Sequence, residues 1–242
     1  MDTEMKPPMC IIRQPAGLGD ILFCLKIARN IIDRGKARRV IWPVSKVYSY
    51  ISKYIKVEGV EFISEDIEFE GKDLYTSNTL GIRYHDDRDI LFVNLQRADE
   101  LGINTDLMNI KYEAVGLDCE GWSDCITLTR DGDRERALRI HMGVSDVFTL
   151  VNSTFATYPN TLNIDIPEKP NQVEIVDVGF DVIFDWCGLI DECDEFHTVD
   201  TAFSYIANIL NKDKVTLYPR EVNGLNNLDY AQKIHPHTWH YN

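Results

Sequence analysis

Short strand-like runs alternate with amphipathic helical segments along most of this 242-residue chain. The first pair is the clearest. Residues 10–14 are typical of a buried strand, and residues 20–33 repeat apolar side chains with the 3.6-residue period of one buried helix face. Strands that alternate with helices are typical of βαβ units, which build parallel sheets. The sequence therefore predicts an α/β fold.

The same alternation continues into the second half of the chain. Beyond the first pair, it predicts strands at 39–42, 60–63, 90–94, 147–151, 173–176, 195–198 and 214–217, and helices at 44–56, 108–114, 133–141, 180–190 and 200–210. The polar segment 65–89 and the tail from Pro219 show no clear element. Because the helix at 133–141 stops at Gly143, we expect two Rossmann-like domains, residues 1–143 and 144–242.

The charge balance limits the possible partners. The chain has 25 basic and 39 acidic side chains, a net charge of −14, whereas nucleic-acid binding needs clustered Lys and Arg. No segment approaches the roughly 18 apolar residues of a membrane helix, and the N-terminus lacks the apolar core of a signal peptide. We expect a cytoplasmic protein that does not bind nucleic acid and has no membrane span.

We expect no bound metal. The cysteines form no CxxC pair and have no partner ligands at zinc-like spacing, so they are interpreted as reduced thiols: Cys10, Cys24, Cys119, Cys125, Cys187 and Cys193. The Asp-x-Asp within residues 86–89 favours a solvated acidic loop over a cation site. The histidines of the tail favour an exposed tail over a ligand set: His235, His237 and His240.

The first strand passes to the first helix through Gly17, Leu18, Gly19 and Asp20. Glycine permits positive φ and close approach of a ligand, and Asp is a favoured helix N-cap. Two interpretations follow: Asp20 caps a helix that begins there, or the loop lines a ligand cleft at the carboxyl edge of a parallel sheet. The loop matches neither GxGxxG nor GxxxxGK[ST], which argues against a dinucleotide or P-loop site.

A second strand-to-helix junction lies at residues 197–203. A hydroxyl group and unpaired backbone N–H groups at a helix N-terminus can bind a phosphate. The alternative is that Thr198 or Asp200 only caps the helix. An ionised Asp200 would repel a phosphate unless it points back at its own backbone.

Three blocks of the sequence resemble one enzyme family. They are GLGDILFCLKIARNI, MNIKYEAVGLDCEGWSDCITLTRDGDRERAL and FDWCGLIDECDEFHTVDTAFSYIANIL. Together they are similar to the heptosyltransferase-like group of GT-B glycosyltransferases, in particular its small phage, viral and bacterial members. The likeness spans roughly residues 10 to 218. It implies two Rossmann-like halves with parallel sheets that face each other across a cleft.

The resemblance also implies an activity and its residues. The activity is metal-independent transfer of a sugar, with inversion, from a nucleotide-diphosphate sugar to a hydroxyl of a glycan or small-molecule acceptor. Asp20 matches the general base of the family, and Gly17, Leu18 and Gly19 would lie against the acceptor or the transferred sugar. No cofactor beyond the donor is implied. The nucleotide side would comprise Asn152, Ser153, His197, Thr198, Asp200, Thr201 and Ala202.

The chain departs from the family at one block. Many relatives carry a His-Asp-Asp and an Arg after the strand that opens the second half, where this chain has Val151–Thr154 and no nearby Arg. Arg220 or Lys111 would have to supply a cation for the phosphates, although Lys111 is as easily interpreted as structural. A catalytically degenerate protein that binds a sugar or a nucleotide therefore stays open, as does a nucleotide-sugar epimerase of similar architecture.

Overall fold

The computed structural model describes residues 8–76, 79–96, 108–155, 161–164, 166, 171–177, 182–222, 225–226 and 228–242. The chain forms two compact units, Met1–Leu128 and Thr129–Asn242.

A five-stranded sheet forms the centre of the first unit. Its order is β4-β2-β1-β6-β5, and every pair is parallel except β5 with β6. The strands β3 and β7 form a separate antiparallel pair. The strands of this unit are β1 (Met9–Arg13), β2 (Arg39–Val44), β3 (Ile55–Lys56), β4 (Val60–Ser64), β5 (Gly81–His85), β6 (Ile90–Asn94) and β7 (Thr127–Leu128).

The helices of the first unit are shorter than the apolar pattern predicts. They are α1 (Leu18–Phe23), α2 (Leu25–Asp33), α3 (Ile51–Tyr54) and α4 (Asn109–Glu113), with 3₁₀ turns at Lys46–Tyr48 and Lys72–Thr76. The predicted helix at 20–33 begins earlier and divides at Cys24, whose N–H donates to the carbonyl of Asp20 over 3.1 Å. The predicted helix at 44–56 is largely wrong, because Ile55 turns to an extended conformation and pairs with Leu128.

Strand β5 lies within the polar segment where no element is predicted. It is an edge strand whose side chains are mostly exposed or half-buried, so its sequence lacks the apolar alternation of a half-buried strand. The buried neighbour β6 has the predicted bounds, 90–94.

The second unit has an all-parallel sheet of order β14-β11-β10-β8-β9. The strands β12 and β13 form a separate antiparallel pair. The strands of this unit are β8 (Thr149–Asn152), β9 (Gln172–Glu174), β10 (Glu195–Val199), β11 (Val215–Tyr218), β12 (Glu221–Val222), β13 (Leu225–Asn226) and β14 (His240–Tyr241). Its helices are α5 (Gly132–Met142), α6 (Cys187–Glu192), α7 (Ala202–Ile209) and α8 (Leu228–Ile234).

Two predictions for the second unit need correction. The predicted helix at 180–190 is a 3₁₀ turn, Ile183–Trp186, followed by α6, and residues 180 and 181 lie outside the described residues. The tail from Pro219 does contain regular structure, because α8 buries Tyr230, Ala231 and Ile234, and β14 joins the sheet.

Each sheet has a point at which its strand order reverses. In the first unit the chain proceeds outward from β1 through β2 to β4, and β6 then lies on the other side of β1. In the second unit β9 lies on one side of β8, and β10 and β11 extend from the other. Open α/β sheets bind ligands at the carboxyl ends of the strands beside such a point. These positions are the ends of β1 and β6, and of β8 and β10.

Ion pairs attach helix α5 to the rest of the second unit. Of its apolar residues Ala137, Leu138 and Ile140, only Leu138 is buried, and Ile140 is 80% exposed. Arg134 instead donates two hydrogen bonds, 2.8 and 2.7 Å long, to the buried carboxylate of Asp185. Because α5 pairs with residues of the second unit, the compact units divide before it, earlier than the predicted boundary at 143/144. The predicted domain bounds stay a prediction.

The six cysteines are free thiols. Burial raises the pKa of Cys24 to about 12 and that of Cys193 to about 11, so both thiols are protonated at neutral pH. Within the described ranges, none of the helices has the length and apolarity needed to cross a membrane.

We predict that Arg134→Ala destabilises the second unit by about 2 kcal/mol or more, because it leaves the buried Asp185 carboxylate without its ion-pair partner. The control is Arg136→Ala on the same helix, whose pair with Asp133 is exposed and should contribute little. Urea denaturation followed by circular dichroism measures both. Equal effects of the two changes would contradict the assigned role of Asp185.

Candidate functional site

The structure places Asp20 inside helix α1 rather than at its cap. The N-cap is Gly17, with φ 79°, and no side chain makes a capping hydrogen bond there. Asp20 is the third helical residue, so the N-cap interpretation of this residue is wrong. Leu18 is buried in the core, and Gly19 follows it within the first turn of α1.

A buried lysine binds the Asp20 carboxylate. The ammonium group of Lys111, on α4, donates hydrogen bonds to Asp20 Oδ1 and, over 2.8 Å, to Gln14 Oε1. The Lys111 side chain is 7% exposed, whereas that of Asp20 is 38% exposed. Gln14, at the end of β1, also donates 2.6 Å to the carbonyl of Ala16. The result is a carboxylate that solvent reaches and a cation that is enclosed behind it.

Gly17 is required beside this carboxylate for two reasons. Its φ of 79° is one that other residues rarely adopt, and a Cβ atom placed there would lie 2.5 Å from Asp20 Oδ2. Any side chain at position 17 would therefore displace the carboxylate. Glycine at position 17 is thus needed to leave room for the Asp20 carboxylate.

Aromatic contacts hold α4 in place against the first helices. The Tyr112 hydroxyl group donates a 2.6 Å hydrogen bond to the carbonyl of Phe23. The ring of Phe23 also makes edge-to-face contacts with Tyr112 and Trp122, at centroid distances of 4.8 and 5.6 Å. These contacts fix the backbone that carries Lys111. Asp20 and Lys111 are 91 positions apart in the chain, so no local sequence signal links them.

In the second unit, three of the predicted residues converge between β8 and β10. The buried Asn152 amide donates to Thr198 Oγ1 at 3.0 Å and to Thr201 Oγ1 at 3.1 Å. Thr201 is the N-cap of α7, and its hydroxyl oxygen accepts from the Phe203 N–H at 3.3 Å. The capping residue is thus Thr201, and neither Thr198 nor Asp200 caps this helix.

The remaining residues predicted for the second unit lie in or next to strands β8 and β10 and helix α7. His197 is hydrogen-bonded to the Tyr218 hydroxyl at 3.0 Å and lies 3.3 Å from Glu195 Oε2. Because successive side chains of a strand alternate between the two faces of a sheet, His197 and Thr198 lie on opposite faces. The buried Asp200 accepts from Ser204 Oγ at 3.3 Å. Ser153 directly follows β8, and Ala202 is the first residue of α7.

The sequence did not reveal a depression of about 640 Å³ beside this junction. Its residues come from separate segments: Thr154, Ile175, Val176, Asp177, Ile183, Trp186 and Phe203. The rings of Trp186 and Phe203 meet edge to face, 6.5 Å apart. The sequence signal for this depression was the two aromatic residues Trp186 and Phe203 in the third of the three blocks that resemble the family. Their approach to residues 175–177 depends on the fold and could not be predicted from the sequence.

The candidate metal ligands do not assemble. Across the described residues there is no group of three or more His, Cys, Asp or Glu side chains placed to hold a metal ion. Residues 86–89 form an exposed loop in which Asp89 accepts from the Tyr84 hydroxyl group. The expectation that His235 belongs to an exposed tail is wrong, because its ring is buried and stacks on Trp239 at 4.8 Å.

Comparison with known proteins found similarity in structure only. No protein-family model and no curated protein sequence matches the chain. The chain superposes on the glycosyl transferase family 9 protein of Veillonella parvula DSM 2008 with a TM-score of 0.53 and 7% identity, covering 98% of this chain and 86% of that one. It superposes on the iron-containing dodecameric glycosyltransferase TibC of enterotoxigenic E. coli H10407 with a TM-score of 0.52 and 11% identity, covering 89% and 61%.

TibC, an iron-containing heptosyltransferase, is also known in complex with ADP-D-beta-D-heptose, and that structure gives a TM-score of 0.50 and 12% identity over 88% of this chain and 58% of TibC. The chain thus spans about three fifths of the length of TibC. Identities this low establish the fold alone. The chain has the α/β fold of these glycosyltransferases, as its resemblance to the heptosyltransferase-like GT-B group predicts.

Proposed function

We propose that this protein is a GT-B glycosyltransferase that moves a sugar from a nucleotide-diphosphate sugar to an acceptor hydroxyl, with Asp20 as the general base. The observation that carries the proposal is the half-exposed Asp20 carboxylate, which lies beside the strand-order reversal of the first sheet and is bound from behind by the buried Lys111. An ionised carboxylate within hydrogen-bond reach of a bound hydroxyl can act as its general base.

The proposed chemistry is a single displacement. Asp20 takes the proton of the acceptor hydroxyl as its oxygen attacks the anomeric carbon of the donor. The bond from that carbon to the diphosphate breaks, and its electron pair leaves with the nucleoside diphosphate. Because a base rather than a nucleophile acts, the anomeric centre inverts.

The second unit is proposed to bind the donor. The N-terminus of α7 and the Thr201 hydroxyl group would bind the diphosphate and stabilise the charge that grows on it, without a divalent metal. The adjacent depression, with the rings of Trp186 and Phe203, suits a nucleobase. Lys111 is committed to Asp20, so Arg220, which follows β11 and lies over the ring of Phe155 at 5.2 Å, is the proposed cation.

The fold shared with the family 9 protein, of which this chain covers 86%, supports a transferase of this architecture. The acceptor is proposed to be a glycan or a small molecule that carries a free hydroxyl group.

The second candidate is a protein of the same fold that binds a sugar or nucleotide without catalysis. It is favoured by the Asn152 network, in which the Thr198 and Thr201 hydroxyl oxygens already accept hydrogen bonds, and by the lack of an Arg at 151–154. Turnover decides between the two candidates.

We predict that a nucleoside diphosphate binds in the presence of a chelator. In isothermal titration calorimetry with ADP, GDP and UDP, Phe203→Ala should weaken binding roughly 5- to 100-fold, the usual effect of removing an aromatic ring from a stacked base. The control is Phe62→Ala, which removes another half-buried ring, on β4 of the first unit, and should leave affinity unchanged. Binding that requires magnesium or manganese would contradict the proposed donor site.

Asp20→Asn should lower sugar transfer roughly 10²- to 10⁴-fold, because the amide cannot accept the proton. Its oxygen can still accept a hydrogen bond from Lys111, so the fold and nucleotide binding should be retained, although loss of the counter-charge of the buried ammonium group should lower the melting temperature. Asp20→Ala, which removes that acceptor too, should lower both stability and turnover. Transfer by Asp20→Asn at the parent rate would show that the base lies elsewhere.

Gly17→Ala should abolish transfer because its Cβ atom would lie 2.5 Å from Asp20 Oδ2 and displace the carboxylate. Gly35→Ala is the matched control, since Gly35 also has positive φ, +62°, but no atom lies within 4 Å of a Cβ there. Both changes should cost about 1 kcal/mol or more of stability through backbone strain, and only Gly17→Ala should lose turnover. Parallel melting and rate measurements would refute the steric argument if Gly35→Ala lost activity equally.

A further inference from the structure

We propose that Lys111 is a positioning residue that selects which oxygen of Asp20 accepts the proton. This inference rests on the proposed function. Lys111 Nζ binds Oδ1 of Asp20, while Oδ2 lies 2.5 Å from the point where a Cβ atom at position 17 would stand, so only a glycine leaves room for it. The two contacts fix the rotation of the carboxylate. With Oδ1 bound to the ammonium group, Oδ2 is the oxygen assigned to the acceptor hydroxyl.

The burial of Lys111 distinguishes this role from ordinary surface pairing. A lysine ammonium group enclosed to 7% exposure is costly unless it is paired and hydrogen-bonded, and its partners here are Asp20 and Gln14. A methionine of similar length would fill the same space without that cost, since apolar replacements of buried ion pairs are often neutral or stabilising. Stability alone therefore does not account for a cation at this position.

Contacts of the neighbouring residues fix the position of the Lys111 ammonium group. Lys111 is held on α4 by the neighbouring Tyr112, whose hydroxyl group reaches the carbonyl of Phe23, one turn beyond Asp20 in helix α1. Gln14 is fixed in turn, because its side-chain amide donates to the Ala16 carbonyl and its backbone carbonyl accepts from the Trp42 indole over 3.0 Å. The lysine therefore connects three segments, the end of β1, α1 and α4, at the atom next to the proposed base.

The kinetic test compares Lys111→Met with Lys111→Arg, each assayed with ADP-, GDP- and UDP-linked sugars and with water as the minimal acceptor. Lys111→Met should lower kcat at least tenfold while the donor KM and the affinity for the nucleoside diphosphate stay at the parent values. Lys111→Arg should recover part of the loss. In the Asp20→Asn background, Lys111→Met should cause no further loss, because the two residues act as one unit.

The control is Lys26→Met on α2. Lys26 is also a paired lysine of the first unit, but it binds Asp118 on the surface, and its loss should leave kcat unchanged. A parent kcat for Lys111→Met would overturn the proposal, and so would a loss of the same size in the Asp20→Asn background.

A crystal structure of Lys111→Met tests the positioning role without turnover. The Asp20 carboxylate should leave its place over Gly17 while the backbone of β1 and α1 stays unchanged. A carboxylate that keeps its place overturns the proposal whether or not any sugar is transferred. Absence of turnover and of nucleotide binding in the parent would instead refute the proposed function. If Lys111→Met does not fold, Lys111→Gln, which can still donate to Gln14, replaces it in every measurement.

Discussion

Parallel pairing on both sides of one inner strand is the constraint on which each unit depends. β1 pairs in parallel with β2 and β6, and β8 pairs in parallel with β9 and β10. Parallel neighbours all end at the same edge of the sheet, so the segments that follow them leave the sheet at that edge. The segments that follow the two strands beside the strand-order reversal move apart from each other and leave a crevice between them. The polar residues of both units, Asp20 with Gln14 and Asn152 with Thr201, lie in the two crevices that this creates.

The two crevices hold opposite kinds of chemistry. In the first unit a carboxylate is presented to solvent and a cation is enclosed behind it. In the second unit an uncharged amide binds the hydroxyl groups of Thr198, in β10, and Thr201, at the start of α7, where unpaired N–H groups favour an anion. The proposed base and the proposed anion site are the two functions that transfer from a diphosphate donor requires. For a chain of net charge −14, the proposed anion site rests on local hydrogen-bond donors rather than on the overall field.

Local sequence pattern predicted what local forces decide. The buried strand at 90–94 was predicted with its observed bounds, and the loop from Gly17 to Asp20 was identified because glycine and an early helical Asp are local signals. The exposed edge strand β5 left no apolar period to detect. The depression at Trp186 and the ion pair of Lys111 escaped prediction because both depend on segments that only the fold brings together.

The distance along the chain between Asp20 and Lys111 affects how such a site can be inherited. The Gly-Leu-Gly-Asp loop and the lysine are encoded 91 positions apart, yet each is costly without the other, since a lone buried ammonium group destabilises the fold and a lone carboxylate rotates freely. Substitution at either position therefore favours a compensating change at the other. Across descendants of this chain the pair should be kept or lost together, so a loop of this type in a sequence without its distant lysine marks a protein in which the carboxylate has lost its fixed orientation.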